Sequence, residues 1–268
     1  MLDCLVNGEL SAHLPVGDRG LHYGDGLFET IAVFNGIPRF WQAHIDRLQT
    51  GCEALGLRTI AQSILLRELQ TVSAGRACCV VKIILTRGDC GRGYFAPAHV
   101  WPTRIVCAYS FPDDNPMLVQ QGITARLCNL RLAIQPALTG IKHLNRLEQV
   151  MARAEWTDPR IQEGILLDPE DHVISATAGN LFLIFGDRLL TPRMDRCGVR
   201  GVMRSAILKA FKSRCEQRRI ALDMLPEADG VFVCNAVRGI VPVTRIGQWE
   251  YVIGPATREL QSWLGSSC

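Results

Sequence analysis

Lysine is scarce in this chain: of 29 Lys and Arg residues, only Lys82, Lys142, Lys209 and Lys212 are lysine, so any chemistry that needs a side-chain amine has four candidates. Basic runs are missing too. The longest is Arg218-Arg219 and the net charge is only +3, whereas nucleic-acid binders gather Lys and Arg on one face or in runs. Long apolar runs are absent: stretches such as Leu181–Phe185 are far too short to span a bilayer. The N-terminus lacks the apolar core of a secretory leader. No Cys-x-x-Cys or His-x-x-x-His pair occurs, which argues against a structural zinc site or other metal. The 11 cysteines would suit a disulfide scaffold only in a short secreted chain. At this length Cys78, Cys79 and Cys107, inside apolar runs, read as small buried hydrophobes. The expectation is a cytoplasmic protein with neither nucleic-acid nor membrane partner.

What is present is a globular composition, 48% hydrophobic and 21% charged over 268 residues, with length enough for a sizeable core. Strands are expected at 2–6 and 29–34, the second turning at Asn35-Gly36 into a return through 38–41. Ile45, Leu48, Cys52 and Leu55 recur at helical spacing, with Gly56 placed as a C-cap. A second helix over 62–72 and strands over 77–86 and 103–109 follow. Two prolines in Phe111-Pro-Asp-Asp-Asn-Pro116 mark a boundary between a smaller N-terminal α+β lobe (1–112) and a larger C-terminal lobe (113–268). The second lobe is expected to hold strands near 123–127, 164–167, 173–175, 180–185, 188–191, 231–234 and 241–245. Its helices are expected to carry Leu144, Leu147, Val150/Met151 and Ala154 on one face, then to cover 202–214 and a terminal segment from Ala256. The class is α+β in two lobes.

The lysines separate by context. Lys209 and Lys212 sit late in a helix, where cations oppose the dipole. Lys82 shares a strand face with Val80 and Ile84, as a lysine snorkelling from an edge strand would. Lys142, in Thr139-Gly-Ile-Lys-His-Leu-Asn145, comes immediately before an amphipathic helix. Facing the positive end of a dipole, such an amine is kept free for imine formation or proton abstraction. The alternative is an ordinary surface lysine, and spacing does not decide between them.

Two further segments bear on ligands. Cys197-Gly-Val-Arg-Gly-Val-Met-Arg204 runs into a helix, an arrangement whose free N–H groups cradle anions, phosphate above all. Arg47 can add a bidentate phosphate contact, although a surface arginine is the plainer reading. In His22-Tyr-Gly-Asp-Gly-Leu-Phe-Glu-Thr30, Asp25 reads as a turn or cap residue. Glu29 and Thr30 point to opposite faces of their strand. A special lysine with a phosphate anchor fits pyridoxal phosphate, which needs both.

Together these segments resemble a known family. Tyr23-Gly-Asp-Gly-Leu-Phe-Glu-Thr30, His44-Ile-Asp-Arg-Leu48, Arg87-Gly-Asp-Cys-Gly-Arg-Gly-Tyr94 and Gly140-Ile-Lys-His-Leu-Asn-Arg-Leu-Glu-Gln-Val150 occur in the order found in the fold type IV, class IV aminotransferase-like, pyridoxal-phosphate enzymes. Asn180-Leu-Phe182 and Gly198-Val-Arg-Gly-Val-Met-Arg204 continue the match. The lysine segment is closer to the aminodeoxychorismate lyase branch than to the transaminases.

The resemblance implies a two-lobed D-amino-acid transaminase-like fold with the cofactor between the lobes, in a homodimer. It implies that Lys142, in the C-terminal lobe, carries the cofactor. Arg47 and the N–H groups of Val202 and Met203 would hold its phosphate, with the Asn235-Ala236 turn closing from the far side. Thr30 matches a hydroxyl implicated in the lyase reaction. Arg92 matches a holder of substrate carboxylate, with Tyr94 beside it, and Arg146 and Arg104 are rivals. Family members commonly place a glutamate five residues before the Asn of Asn-Leu-Phe, facing the pyridine nitrogen; here Ser175 stands there, with Glu163 or Asp168 as rivals. The implied reaction is conversion of 4-amino-4-deoxychorismate to 4-aminobenzoate and pyruvate, a folate-precursor step. A transaminase for D- or branched-chain amino acids and a non-catalytic cofactor-binding protein are the alternatives.

Overall fold

A computed structural model describes residues 3–97 and 100–266, so the first residue of the expected opening strand lies outside the described residues. The chain divides into two compact units: Met1–Phe111 with Ile141–Asn145, and Pro112–Gly140 with Arg146–Cys268. The α+β class expected from the sequence is the class observed, since each unit has its own sheet and its own helices. No helix among the described residues is long and apolar enough to cross a membrane.

The first unit contains β1 (Cys4–Val6), β2 (Glu9–Leu10), α1 (Arg19–Tyr23), β3 (Gly26–Phe34), β4 (Ile37–Pro38), α2 (Trp41–Leu55), α3 (Gln62–Ser73), β5 (Cys78–Thr86) and β6 (Thr103–Ser110). Its six-stranded sheet runs β2-β1-β6-β5-β3-β4. The Asn35-Gly36 hairpin forms as expected, both residues adopting positive φ, but its return strand is only two residues long. His44, Ile45, Leu48 and Cys52 make the buried face of α2, which stops at Gly56 in the left-handed region.

Two expectations fail here. Lys82 is on β5, an interior strand between β6 and β3, rather than on an edge. Cys79 and Cys107 are buried as expected, but Cys78 is exposed, and Cys107 is not free: it forms a disulfide with Cys4 opposite it on β1. A cysteine in an apolar strand is placed by what lies across the ladder, which its own strand does not encode.

The second unit contains α4 (Asn115–Gln121), β7 (Ile123–Arg131), α5 (Leu147–Arg153), β8 (Glu163–Leu167), β9 (His172–Ala176), β10 (Asn180–Phe185), β11 (Arg188–Pro192), α6 (Val202–Ala210), β12 (Cys215–Arg218), β13 (Ile220–Ala221), β14 (Gly230–Asn235), β15 (Gly239–Ile246), β16 (Trp249–Glu250) and α7 (Pro255–Ser266). Its sheet runs β12-β11-β10-β14-β15-β7-β8-β9-β13, with β16 on β15. Leu181 and Leu183, Val231 and Val233, and Val241 and Val243 supply alternate positions of three adjacent strands to one core. On the other face of β10 and β14, Phe182 and Phe232 stack with ring centroids 4.9 Å apart, both fully buried. Burial on both faces explains why these strands read as continuous apolar runs, and each Phe contributes about 1.5–3 kcal/mol.

The expected apolar helix face around 144–154 is not a core face. α5 begins only at Leu147, and Leu147, Val150 and Met151 are exposed. Likewise α6 ends at Ala210, short of the expected 214, and the chain continues into β12.

Candidate active site

The segment around Lys142 belongs to the first unit, not to the C-terminal part of the chain in which sequence order placed it. Residues 142–144 lie along the otherwise open edge of the first part of β3. The Phe28 N–H donates to the Lys142 carbonyl at 2.9 Å and the Leu144 N–H to the Gly26 carbonyl at 3.0 Å, with Leu27 and His143 forming an antiparallel bridge. Gly26 makes the approach possible: a Cβ there would stand 2.8 Å from the Leu144 side chain and 2.5 Å from the Leu85 carbonyl.

Lys142 is therefore an extended residue, five positions before the first residue of α5, so the helix-dipole reason for its special character does not hold. Its amine instead lies 4.4 Å from the Phe28 ring centroid. The Lys82 amine lies 5.0 Å from the same centroid. One ring thus carries two of the four lysines. Thr30, paired with Lys82 across the β3–β5 ladder, falls on the Phe28 face by strand alternation.

Glu29 occupies the opposite face, with Leu27 and Ile31, and is 1% exposed. There it meets α2. The Arg47 Nε donates to Glu29 Oε1 at 2.8 Å, and Arg47 Nη2 and Glu29 Oε2 make a second, shorter contact. The His44 Nδ1–H donates to Oε2 at 2.5 Å. Burial pushes the Glu29 carboxyl up, but the Arg47 charge and the hydrogen bonds from His44 and Arg47 outweigh it and hold the group at about 2. Burial moves His44 the other way, below its ordinary value despite Glu29, and its Nε2 is buried without a partner. The result is an ionised carboxylate that fixes the Arg47 guanidinium from a helix three residues past His44.

A second carboxylate organises the other half of the motif. Asp25 is not merely a turn residue. It accepts from Arg19 Nε at 2.9 Å and from Arg87 Nε and Nη2 at 2.7 and 3.1 Å. Burial raises its carboxyl, and the bonds from Arg87 and Arg19 overcome that and leave it below its ordinary value. Arg87 also donates to the Leu55 and Gly56 carbonyls, so it caps α2 with positive charge. Arg92 and Tyr94 are exposed in the loop that follows. Arg104 is paired with Glu68 at 2.7 Å.

In the second unit, α6 starts after Gly201 with no side chain capping it, so the N–H groups of its first turn, Val202 and Met203 among them, have no side-chain cap. Asn180 secures the approach through Nδ2 donating to the Val199 carbonyl at 2.9 Å. Arg204, 2% exposed, stands in the same first turn. Its donors go to Thr191 Oγ1, the Pro192 carbonyl and Gln217 Oε1, with no carboxylate, and burial lowers it to about 10.

The Asn235 side chain accepts from the Val237 and Arg238 N–H groups and so builds the turn that holds Ala236. Ser175, on β9, is buried. Of its rivals, Asp168 accepts from the N–H groups of Glu170 and His172 and closes a turn. Glu163 is bound by the Thr177 hydroxyl and by the N–H groups of Gly164 and Thr177 at 2.9 and 3.0 Å, and burial raises its carboxyl. Arg146 immediately precedes α5, and burial lowers its guanidinium against the opposing charge of Glu148. A cavity of about 250 Å³ in this unit is lined by Glu163, Arg153, Asp114, Arg238, Gln162 and Asn235 among others; of the residues expected at a site it includes Asn235 and the rival of Ser175, Glu163.

Sequence reasoning missed Glu29, His44, Asp25 and Arg19. A signal for Glu29 was available: period-2 alternation puts it between Leu27 and Ile31 on a buried face, where a carboxylate requires a cationic partner. Arg47, and His44 one turn before it, are that partner.

Comparison with known proteins agrees with these motifs. Residues 26–246 match the family model described as amino-transferase class IV. The aminodeoxychorismate lyase of Vibrio harveyi is 36% identical over 273 residues, covering 97% of this chain and 99% of that protein. A crystal structure of 4-amino-4-deoxychorismate lyase from Pseudomonas aeruginosa superposes with a TM-score of 0.93 at 41% identity, covering 98% of both chains. The branched-chain amino acid aminotransferase of Escherichia coli shares the fold, with a TM-score of 0.85 at 23% identity over 98% of this chain and 93% of that one.

Proposed function

The chain belongs to the class IV amino-transferase family, and from that premise we propose that it is a pyridoxal-phosphate-dependent lyase converting 4-amino-4-deoxychorismate to 4-aminobenzoate and pyruvate. The observation that carries the reading is the Lys142 segment laid along β3, its amine over Phe28, in a chain similar to lyases along nearly its whole length. The donor set fits a phosphate-bearing aldehyde: an amine, a guanidinium fixed by a buried carboxylate, and a helix N-terminus with no side-chain cap.

Lys142 would hold the cofactor, Arg47 and the N–H groups of Val202 and Met203 would hold its phosphate, and the Asn235-Ala236 turn would close on it. Ser175 offers a hydroxyl to the ring nitrogen. When bound, the cofactor supplies an electron-withdrawing ring that acidifies the carbon bearing the substrate's amino group. The Lys142 amine would take the proton from C4. The bond from C3 to the enolpyruvyl oxygen breaks, pyruvate leaves, and aromatisation drives the step. Thr30 orients the leaving oxygen. Arg92, with Tyr94 and Arg146, holds substrate carboxylate. A serine holds the ring nitrogen protonated less well than a carboxylate would, so the weaker electron sink disfavours transamination more than a ring-forming elimination. The same reading carries a homodimer working in the cytoplasm.

The test is product identity. The wild type is expected to form fluorescent 4-aminobenzoate from aminated chorismate and Lys142→Ala to form none. Oxoacid from an amino-acid donor, without 4-aminobenzoate, would assign the chain to the transaminases instead.

A further inference from the structure

The loop from Gly88 to Pro97, between β5 and β6, is anchored at its start by an antiparallel bridge of Asp89 with Asp18 but has no regular structure beyond it, and Gly88, Gly91 and Gly93 take φ values of +96°, +82° and +92°. Tyr94 and Phe95 are 89% and 86% exposed, so the loop buries little of its own to hold itself in place. Left alone, such a segment samples many conformations. Arg92 makes no hydrogen bond or ion pair with any described residue, and its guanidinium is available to a ligand only in whatever direction the loop backbone sets.

That backbone is held from α1. Arg19 Nη1 donates to the Gly93 carbonyl at 2.6 Å and Nη2 to the Tyr94 carbonyl at 3.0 Å. The Gly93 N–H donates to the Tyr23 hydroxyl oxygen at 3.1 Å, and the Tyr23 and Tyr94 ring centroids lie 5.6 Å apart. The clamp itself is anchored. The Arg19 side chain is 4% exposed, its Nε is committed to Asp25, and its guanidinium lies 4.7 Å from the Tyr23 ring centroid. A buried guanidinium that spends two donors on the carbonyls of the two residues after Arg92 fixes where Arg92 starts from. A lysine could keep the charge beside Asp25, but it lacks the fork that reaches both carbonyls.

We propose that Arg19 is a positioning residue, which through the Gly93 and Tyr94 carbonyls sets the Arg92 loop and so the affinity for the substrate carboxylate. The inference rests on the reading of Arg92 as a substrate contact. A residue that only staples the fold would lower stability without a selective effect on substrate binding.

The experiment compares loaded wild type with Arg19→Lys, Tyr23→Phe, Arg92→Ala and the Arg19→Lys/Arg92→Ala double variant. Arg19→Lys is expected to raise KM about tenfold with kcat changed by less than about twofold, since misplaced contacts weaken orientation before chemistry. The cofactor spectrum should stay unchanged. Trypsin should cleave the native protein after Arg92 several-fold faster. Tyr23→Phe, which leaves the Asp25 pair intact, is expected to shift both readouts the same way by less, and it carries the test if Arg19→Lys does not fold.

The double variant should be no worse than Arg92→Ala alone, because Arg19 acts through Arg92. Additive KM effects, or unchanged cleavage in both Arg19→Lys and Tyr23→Phe, would overturn the proposal. An unchanged KM in Arg92→Ala overturns its functional half and the reading of Arg92 with it. In that outcome faster cleavage would still identify the clamp, and the product assay would still decide the reaction.

Discussion

Glu29 and Glu163 are both buried glutamates, one in each unit, and their carboxyls are shifted in opposite directions. Glu29 meets Arg47 and His44 and is held at about 2. Glu163 meets a hydroxyl and backbone N–H groups, and its carboxyl is raised. Burial opposes the charge at both. Neutral donors do not offset it, whereas a guanidinium at hydrogen-bond distance does. The first unit thus uses a buried carboxylate, Glu29, and a partly buried one, Asp25, to hold arginines, which accounts for part of the arginine excess. The second unit has a buried acid whose carboxyl is raised and a buried arginine, Arg204, whose hydrogen bonds go to a hydroxyl, a carbonyl and an amide.

The largest effect is expected from removing the charge of Glu29. Glu29→Gln leaves Arg47 without its counter-charge and should cost about 3–5 kcal/mol in urea unfolding, the usual result of breaking a buried pair. It should also weaken cofactor binding, measured by absorbance titration, since Arg47 loses what fixes it. The pH dependence has a definite sign. Because the folded value is depressed, the contribution is complete above the ordinary value near 4.5 and is lost as pH falls toward 2. Glu29→Gln should flatten wild-type acid sensitivity in that window. Equal acid sensitivity in both proteins would break the comparison.

Glu163→Gln should be much milder, within about 1 kcal/mol, because a neutral amide replaces a group already inclined to be neutral. The sign reverses. With its folded value raised, Glu163 contributes fully below the ordinary carboxyl range, and that contribution declines as pH rises above it. Glu163→Gln should remove this decline in unfolding measured from pH 4 upward. A loss as large as that of Glu29→Gln would show that Glu163 is ionised by a partner of its own.

Much of this was legible in the sequence where local pattern decides structure. The alternation in β3 and the buried stripe of α2 with its Gly56 cap follow from periodicity, and the strands β10 and β14 from their short continuous apolar runs. Other features depended on partners far along the chain. Lys142 stands apart from the other lysines by context, but no helix dipole acts on it: its segment pairs with β3 rather than starting a helix. Lys82 looked like an edge-strand residue because strand order is invisible to a single strand's pattern. Leu147, Val150 and Met151 had helical spacing yet face outward, so spacing alone did not imply a core. Asp25 and Arg19 meet Arg87 and the Gly93 and Tyr94 carbonyls only after two loops close, and no local rule brings them together.

Phe28 carries two amines, and that makes the choice between them the most direct test of the site. Borohydride reduction of the loaded enzyme, followed by peptide mapping, fixes the cofactor to the lysine that holds it. The expected adduct is on Lys142 alone. An adduct on Lys82, or on neither, would contradict the account.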